Sequence, residues 1–287
     1  MLRVYGDRLG RPRAAADAAL RPPAARRRRD VRGPLYGGVM TSPPPLPPWL
    51  TRVGVFDLET TGIDVTRDRI VTAHVGVLDH HGAEIAARTW LADPGIPIPA
   101  GATAIHGITS ERAHRDGAPA PQVIAGVVAA LRSLLSRGVP VVAYNAAFDF
   151  SLLAHEARRH RIAPLENPSP VIDPLVIDKA YDRYRPGKRT LEIVAAHYRV
   201  DLVGAHDASA DAVAAGRVAQ ALAQRFPLPP SAAELHTRQI AWARAQAASL
   251  TDYFVRIGRI EPTERLDGRW PVRDGDPARQ GASTGSL

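Results

Sequence analysis

The sequence predicts an α/β domain in which a central mixed β-sheet carries helices on both faces. Two patterns lead to this class. Three apolar segments rich in β-branched residues follow one another over residues 53–91, as in an antiparallel meander. From residue 123 onward, helical segments alternate with short strand-like segments, as in β–α units. A further helix is expected on the C-terminal side of this domain.

The three N-terminal strands are predicted over residues 53–59, 70–78 and 84–91. Each is a short run rich in Val, Ile, Leu or Ala, which suits a buried or half-buried strand. Gly62 permits a sharp turn after the first strand. The Asp-His-His-Gly sequence of residues 79–82 resembles a hairpin turn and joins the second strand to the third.

Six helices and two short strands are predicted after residue 120. Apolar residues at helical spacing predict helices over residues 123–135, 148–160, 175–181, 190–198, 209–226 and 232–256. The short strands are expected over residues 140–143 and 171–172. Thr190 is a suitable N-cap for the helix that begins there.

The composition favours a globular protein and excludes several kinds of site. Of the 287 residues, 45% are hydrophobic and none is cysteine, so disulfides, thiolate nucleophiles and cysteine-based zinc sites are excluded. No run of 18 apolar residues predicts a membrane-spanning helix. Residues 1–39 carry a net charge of +7, whereas the other 248 residues carry +1. The basic excess therefore says little about the folded part.

We expect four regions along the chain: a disordered Arg- and Pro-rich leader (1–50), the main domain (51–228), a helical extension (229–257) and a flexible tail (258–287). Residues 1–39 lack apolar periodicity, so burial could not offset the entropy of ordering them. Four arginines at residues 26–29 resemble an export signal, but no apolar region follows, and we expect a cytoplasmic protein. A second hypothesis is that Met40 is the true start.

Asp57 and Glu59 are the first candidates for chemistry. They are two residues apart on a predicted strand, so their side chains point to the same side. Two like charges about 4 Å apart repel by about 4 kcal/mol at an effective dielectric constant of 20. The pair is therefore either exposed to solvent or neutralised by protons or cations. A solvated strand end is the simpler interpretation of this pair alone.

Three more titratable residues lie where predicted elements meet. Asp149 follows a strand and opens a helix, a usual place for a site in an α/β sheet, although an acid there also suits the helix dipole. His206 and Asp211 are five residues apart and cannot share a helix face, so we place His206 on a loop and Asp211 in the first helical turn. Alternatively, this segment is a helix cap formed by Asp207 or Ser209, with a surface histidine.

Four motifs now stand in order along residues 51–226: Phe-Asp-Leu-Glu-Thr-Thr-Gly (56–62), Ile-His-Gly-Ile-Thr (105–109), Asn-Ala-Ala-Phe-Asp (145–149) and His206 with Asp211. Together they resemble the DnaQ-like 3′–5′ exonucleases of the DEDDh branch, whose best-known member is the proofreading epsilon subunit of bacterial DNA polymerase III. The resemblance implies a ribonuclease H-like fold. It also implies hydrolysis of phosphodiester bonds at DNA 3′ ends, with release of nucleoside 5′-monophosphates, in replication proofreading or repair.

The resemblance assigns a role to each acidic residue of the motifs. It implies two divalent metal ions, Mg²⁺ or Mn²⁺, with Asp57, Glu59 and Asp211 as ligands of one. Asp57 and Asp149 would hold or orient the second. His206 would be the general base that accepts a proton from the attacking water. Hard oxygen ligands of this kind suit these ions.

The same resemblance implies a pocket for the terminal nucleotide, formed by Thr60, Thr61, Ile105, His106, Asn145 and Phe148. One departure is Tyr144, since epsilon subunits commonly carry His before the Asn. The expected partner is a single-stranded or frayed 3′ end of DNA, with a DNA polymerase subunit as a further partner and no membrane.

Two alternatives remain open at this stage. One is an RNA-directed 3′–5′ exoribonuclease of the ribonuclease T or oligoribonuclease type, because the chemistry does not depend on the sugar. The other is a non-catalytic scaffold on the same fold, with the 232–256 helix docking a polymerase. That helix is equally compatible with packing on its own domain.

The remaining charged and aromatic residues give weaker signals. Arg185, Lys188 and Arg189 either contact phosphates or form a solvated loop. Aromatic residues make up 6% of the chain, and we expect no stacking surface for long single strands. Eight histidines without a carboxylate motif are interpreted as surface or core residues: His74, His80, His81, His114, His155, His160, His197 and His236.

Overall fold

The computed structural model describes residues 45–273, which form a mixed sheet with helices on both faces. The strands are β1 Val53–Thr60, β2 Ile70–Leu78, β3 Glu84–Asp93, β4 Ala118–Pro119, β5 Val141–Val142 and β6 Val171–Ile172. They lie in the order β4-β3-β2-β1-β5-β6. The first three strands pair antiparallel, while β5 pairs parallel to β1, β6 to β5 and β4 to β3. The predicted class is confirmed.

The helices are α1 Ala100–His106, α2 Ser110–Asp116, α3 Ala120–Ser136, α4 Ala146–Arg159, α5 Pro174–Tyr181, α6 Leu191–His197, α7 Ala208–Arg225 and α8 Ala232–Arg256. A 3₁₀ turn over Pro48–Leu50 precedes β1. The prediction missed α1, α2 and β4: α1 buries none of its residues and α2 only Ala113, so neither has an apolar face to recognise, and β4 is two residues long with neither of them buried. The Thr109 side chain caps α2 by accepting a hydrogen bond from the Arg112 N–H. Thr190 precedes α6 but makes no such bond.

Alternate residues of β1 face different helix layers. Phe56 and Leu58 belong to the larger core with α3 and α4. Val53 and Val55 belong to a second core with α6 and α7. Since side chains alternate along a strand, Asp57 and Glu59 project on the side of Val53 and Val55, which α7 covers.

A close approach of α7 to the sheet depends on Gly216. A Cβ atom at this position would lie 2.5 Å from Leu78 Cδ1 and 2.6 Å from Val55 Cγ1, which is closer than packed atoms come. Without a side chain at Gly216, α7 rests directly on β1 and β2. The first turn of α7 is thereby brought to the end of β1.

Helix α8 packs on its own domain, along strand β6. The Gln239 side chain accepts a hydrogen bond from the Asp173 N–H (2.7 Å) and donates one to the Val171 carbonyl oxygen (3.0 Å). The Val171 N–H donates to His236 Nδ1 at 3.0 Å. Leu235 is fully buried in the second core. The self-packing expected as one use of this helix is observed.

Both ends of the described chain pack more tightly than expected. The leader was expected to extend to residue 50, but Leu50 is fully buried and Trp49 Nε1 donates to the Pro229 carbonyl oxygen at 3.1 Å. The prediction of a frayed tail from residue 258 is wrong for the part of the chain that ends at residue 273. Trp270 is 6% exposed in the larger core, and the Arg273 N–H donates to Ser151 Oγ at 2.7 Å. Residues 1–44 and 274–287 of the two predictions lie outside the described residues.

Among residues 45–273, no helix combines the length and the apolar composition needed to cross a bilayer.

Candidate active site

Three of the predicted carboxylates converge where β1 ends. Asp57, Glu59 and Asp211 each offer one oxygen atom, and these atoms lie within 4.8 Å of one another. Asp57 and Glu59 share one side of β1, while Asp211 lies in the first turn of α7. The carboxyl ends of the parallel strands β1, β5 and β6 meet at this edge, which is where open α/β sheets usually place their sites.

The three carboxylates are costly to ionise in this position. Burial, with a further contribution from the charges of Asp211 and Asp207, raises the pKa of Glu59 to about 8. Burial also raises the pKa of Asp211 to about 6, against the opposing effect of the His206 N–H. The pKa of Asp57 lies well above its usual range because of burial and the charges of Asp149, Asp211 and Glu59. Such a group binds either protons or cations.

One carboxylate oxygen lacks a partner in a way that fits a cation. Asp211 Oδ1 is buried and accepts no hydrogen bond from any residue in the range 45–273. Buried carboxylate oxygens are normally hydrogen-bonded, so an orphaned one needs an explanation. A hard divalent cation held jointly with Asp57 and Glu59 would supply the missing partner.

Asp149 lies beside this group without belonging to it. Its side chain, on α4, is 3% exposed, and it accepts a hydrogen bond from the Leu58 N–H of β1. Burial raises its pKa, and of the neighbouring charges it raises the pKa of Asp57 most. The structure thus brings Asp149 next to Asp57, whereas the tight cluster comprises the other three.

The start of α4, and with it Asp149, is held by a residue that the sequence interpretation missed. The buried carboxylate of Asp173 accepts hydrogen bonds from the N–H groups of Asn145 (3.0 Å), Ala146 (2.9 Å) and Leu175 (2.9 Å). Trp270 Nε1 donates to the same carboxylate at 3.3 Å. An Asp directly before a Pro at the first position of a helix is a recognisable cap signal.

His206 occupies the loop position that its spacing predicted. Its backbone is left-handed, with φ of 71°, and its N–H donates to Asp211 Oδ2 at 3.3 Å. The ring is 32% exposed, with Nε2 3.5 Å from Glu192 Oε1 of α6. Asp207 caps α7 by accepting from the Ser209 N–H at 3.0 Å. The two interpretations of this segment are therefore compatible: His206 adjoins Asp211, and Asp207 also caps the helix.

The loop between β1 and β2 is organised around Asp68. Thr61 is 3% exposed and its hydroxyl donates to Asp68 Oδ1 at 2.9 Å. A Cβ atom at Gly62 would lie 2.5 Å from Asp68 Oδ2, so a side chain here would displace the Asp68 carboxylate from its hydrogen bonds with Thr61 and the Asp64 N–H. Positive φ angles are found at other glycines of the described chain and not at Gly62, which differs from the turn role predicted for it. Arg159 of α4 fastens the loop by donating to the Thr66 carbonyl oxygen at 2.6 Å.

The second motif meets the first at Thr60. The His106 ring faces the main chain of Thr60, and burial lowers its pKa. The Ile108 N–H donates to His106 Nδ1 at 3.1 Å. Ile105 is half-buried beside His106 in the chain. The two motifs named for the terminal nucleotide thus adjoin.

The third motif begins with an unusual backbone. Asn145 has φ of 62°, a left-handed conformation that Asn tolerates better than most residues. Phe148 is half-buried against the larger core, next to Asp149 in the chain. Tyr144, just before this motif, donates its hydroxyl to the Arg189 carbonyl oxygen at 2.7 Å.

Arg185 and Arg189 were expected either to contact phosphates or to lie in a solvated loop, and the structure gives them a different role. Both guanidinium groups are about 10% exposed and pair with the buried carboxylate of Asp178. Their charges are therefore used inside the protein. Lys188 is exposed.

The clearest case among the other histidines supports a structural role. His74 is 1% exposed and lies within hydrogen-bond distance of Glu84 Oε1 and Thr89 Oγ1, both at 2.8 Å. This agrees with the interpretation of His74 as a core residue. Its carboxylate partner is ten residues away in the sequence, across the β2–β3 pair.

A protein-family model described as exonuclease, RNase_T, matches residues 55–219 of the chain. The matched range is more than half of the chain and contains every predicted site residue.

Two curated relatives are DNA polymerase III proteins. A DNA polymerase III PolC-type from Lacticaseibacillus paracasei is 31% identical over 169 residues, which is 58% of this chain and 11% of the relative. A DNA polymerase III subunit epsilon-like protein from Rhodobacter capsulatus is 32% identical over 125 residues, which is 43% of this chain and 16% of the relative. The chain thus spans only a small part of the length of these relatives.

Among solved structures, the chain resembles exonuclease I. The complex of E. coli exonuclease I with a dA16 oligonucleotide is 21% identical, with a TM-score of 0.53, and the match covers 68% of this chain and 44% of that one. The zinc-bound complex of the same enzyme with single-stranded DNA is 20% identical, with a TM-score of 0.53, covering 72% and 45%. At these identities the likeness concerns the fold.

Proposed function

The chain belongs to the exonuclease family, and on that premise we propose that it is a metal-dependent 3′–5′ exonuclease. Its substrate would be a single-stranded or frayed 3′ end of DNA, from which it releases nucleoside 5′-monophosphates. The observation that carries the proposal is the convergence of Asp57, Glu59 and Asp211 at the end of β1. A buried acidic group of this kind has little structural use without a cation.

The donor set fits one hard divalent ion directly and a second by extension. Asp57, Glu59 and Asp211 would hold the first, and Asp57 with Asp149 would hold or orient the second. Carboxylate oxygens favour Mg²⁺ or Mn²⁺ over softer metals. Such ions, when bound, stabilise negative charge on the attacking and leaving oxygens of an in-line displacement.

The protein's own residues would perform the positioning and the proton transfer. We assign His206 as the general base, because its backbone N–H binds Asp211, which places the residue beside the acidic group, and its ring is one-third exposed and can reach a water molecule. Thr60, Thr61, Ile105, His106, Asn145 and Phe148 would bind the terminal nucleotide. Asp173 would act as a positioning residue, since it fixes the start of the helix that carries Asp149.

DNA is the favoured substrate because both relatives are DNA polymerase III proteins. The same relatives support a polymerase as a partner. The cytoplasmic location expected from the sequence remains a prediction.

The test is a paired digestion of 5′-labelled DNA and RNA oligomers with matched or mismatched 3′ ends, in Mg²⁺ or Mn²⁺. We expect a ladder that shortens one nucleotide at a time from the 3′ end, faster on DNA, and no products without metal. Preferential digestion of RNA would replace DNA by the exoribonuclease alternative. Failure to shorten either substrate in either metal would overturn the proposal in favour of a non-catalytic scaffold.

A further inference from the structure

The segment of residues 182–190, here called the 182–190 loop, ends beside the acidic site. The Arg189 carbonyl oxygen accepts the hydroxyl of Tyr144, the residue before Asn145. Two residues after the loop, Glu192 Oε1 lies 3.5 Å from His206 Nε2. The loop therefore contacts the residue before α4, and the helix that follows the loop contacts His206.

A buried ion-pair network around Asp178 holds the 182–190 loop on the protein. Asp178 is fully buried, with Arg185 Nη2 2.5 Å from its carboxylate and Arg189 also bound to it. Tyr198 donates its hydroxyl to the same carboxylate at 2.7 Å. Arg185 Nε also lies 3.1 Å from Asp182 Oδ2. Charge-assisted hydrogen bonds of this kind fix the backbone of the loop.

The outer side of the same loop presents an aromatic ring and two cations to solvent. The Tyr184 side chain is 88% exposed, and the Arg183 guanidinium lies 5.7 Å from the centre of its ring. Arg183 and Lys188 are both exposed. Burial explains none of these three side chains. An exposed ring with a cation beside it, on a loop that also carries an exposed lysine, offers the chemistry on which nucleobases stack and phosphates bind.

The charge of the site makes such a surface useful. The carboxylates at the end of β1 repel a polyanion, and the chain beyond residue 39 carries a net charge of only +1. A strand must therefore be held by a few well-placed cations and stacking contacts outside the acidic group.

We propose that Tyr184, with Arg183 and Lys188, is a binding subsite for single-stranded nucleic acid. Tyr184 stacks a base of the strand that leads away from the terminal nucleotide, and the two cations contact its phosphates. This subsite was not expected from the aromatic content of the sequence, and it rests on the strand substrate of the proposed function.

The experiment compares a long and a minimal substrate on the full chain with Mg²⁺. The long substrate is a 5′-labelled oligodeoxythymidylate of about 12 nucleotides, a length near the upper part of the range that single-strand sites cover. The minimal substrate is the p-nitrophenyl ester of thymidine 5′-monophosphate, which has no strand. Tyr184→Ala should raise KM for the oligomer by about tenfold or more, since base–aromatic stacking contributes that much per base. Both kinetic constants for the ester should stay unchanged, and Tyr184→Phe should keep the oligomer KM.

The matched control is Tyr253→Ala on α8. Tyr253 is 46% exposed and has the Arg256 guanidinium 5.5 Å from its ring centre, so it offers the same chemistry at a different place. Its replacement should leave the oligomer KM unchanged. An unchanged oligomer KM in Tyr184→Ala, or an equal effect of the two alanine variants, would overturn the subsite.

A binding measurement separates this proposal from the proposed function. Fluorescence anisotropy of a labelled 12-nucleotide oligothymidylate, with Ca²⁺ in place of Mg²⁺, reports binding even if the wild-type chain hydrolyses neither substrate. Weaker binding in Tyr184→Ala would support the subsite even on an inactive protein. So would a smaller salt dependence in Lys188→Ala, in which the slope of the logarithm of the binding constant against the logarithm of the salt concentration falls by about one. Equal binding by wild type and Tyr184→Ala would reject it, and would favour a protein as the occupant of the exposed ring.

Discussion

Two sets of buried carboxylates in this domain differ in their partners more than in their burial. Asp178 and Glu156 are fully buried, and each is paired with arginine side chains. Asp57, Glu59 and Asp211 are less buried and pair with no arginine side chain of the described chain; the strongest electrostatic neighbours of Asp57 and Glu59 are other acids, and Asp211 has His206 beside it. Asp178 and Glu156, here called the structural set, are therefore already neutralised by the protein. Asp57, Glu59 and Asp211, here called the site set, need a proton or a bound cation to offset their charges.

The comparison teaches that burial alone does not identify a functional carboxylate. Removing one partner of a buried ion pair leaves the other charge unmatched and is strongly destabilising. Removing one member of a group of like charges relieves repulsion. The two sets should thus respond in opposite ways to the loss of a carboxylate.

The largest effect on activity is expected for Asp57→Ala. Loss of this shared ligand should take turnover below detection, a greater loss than removal of a general base causes. Stability without metal should stay the same or rise, because repulsion with Glu59 and Asp211 falls. Urea unfolding in EDTA, beside the digestion assay, measures both. A large loss of metal-free stability would mean that Asp57 belongs with the structural set.

The next largest effect is expected for His206→Ala. Replacing the proposed general base should lower the rate by about 10²–10⁴-fold. The carboxylates that hold the metal remain, so the shift of the melting temperature on adding Mn²⁺ should persist. Single-turnover digestion and thermal melting test this pair of outcomes. Unchanged turnover would remove His206 from the mechanism.

The structural set is tested by Asp178→Asn. This change removes the buried charge that Arg185 and Arg189 share, leaving Arg185 only Asp182, and it should lower the free energy of unfolding by about 3–5 kcal/mol. Urea unfolding monitored by circular dichroism gives the value. If the variant is as stable as the wild type, the contrast between the two sets fails.

The site set also predicts how stability depends on pH in the metal-free protein. The pKa of Glu59 is raised from about 4.5 to about 8, so the folded state keeps its proton at a pH where the unfolded state has lost it. The resulting stabilisation is complete below pH 4.5 and disappears as the pH rises toward about 8. The melting temperature in EDTA should therefore fall over this range, and Glu59→Gln should flatten the fall. Saturating Mg²⁺ should do the same for the wild type. A wild type and a Glu59→Gln variant with parallel profiles would contradict the assignment.

The smallest effect is expected for Trp270→Phe. The change keeps an aromatic ring in the core but removes the indole N–H that binds Asp173, and should cost about 1 kcal/mol of unfolding free energy. Trp270→Ala, which also empties the core position, should cost about 3–5 kcal/mol. Urea unfolding of both variants separates the hydrogen bond from the packing. Equal losses would show that the bond contributes nothing.

The sequence was sufficient where a local pattern determines the structure. Strand β2 was predicted with its observed bounds, because its apolar run ends at clear turn residues. The period of two along β1 was enough to place Asp57 and Glu59 on one side, and the spacing of five placed His206 off the helix that carries Asp211.

The sequence was insufficient where partners come from distant parts of the chain. Trp270 stands in a polar segment, and its contact with Asp173 spans 97 residues. Arg185 and Arg189 look solvated in the sequence, but in the structure both pair with the buried carboxylate of Asp178. A local pattern shows that a charge exists but does not show which residue neutralises it.

The packing of α8 along the edge strand β6 has a consequence for biosynthesis. The peptide groups of Val171 are saturated by side chains of His236 and Gln239, and His236 follows 65 residues later in the chain. While the polypeptide emerges from the ribosome, this margin of the sheet stays open to any other extended chain until α8 has been made. Crowded or truncated nascent chains should therefore aggregate through this margin.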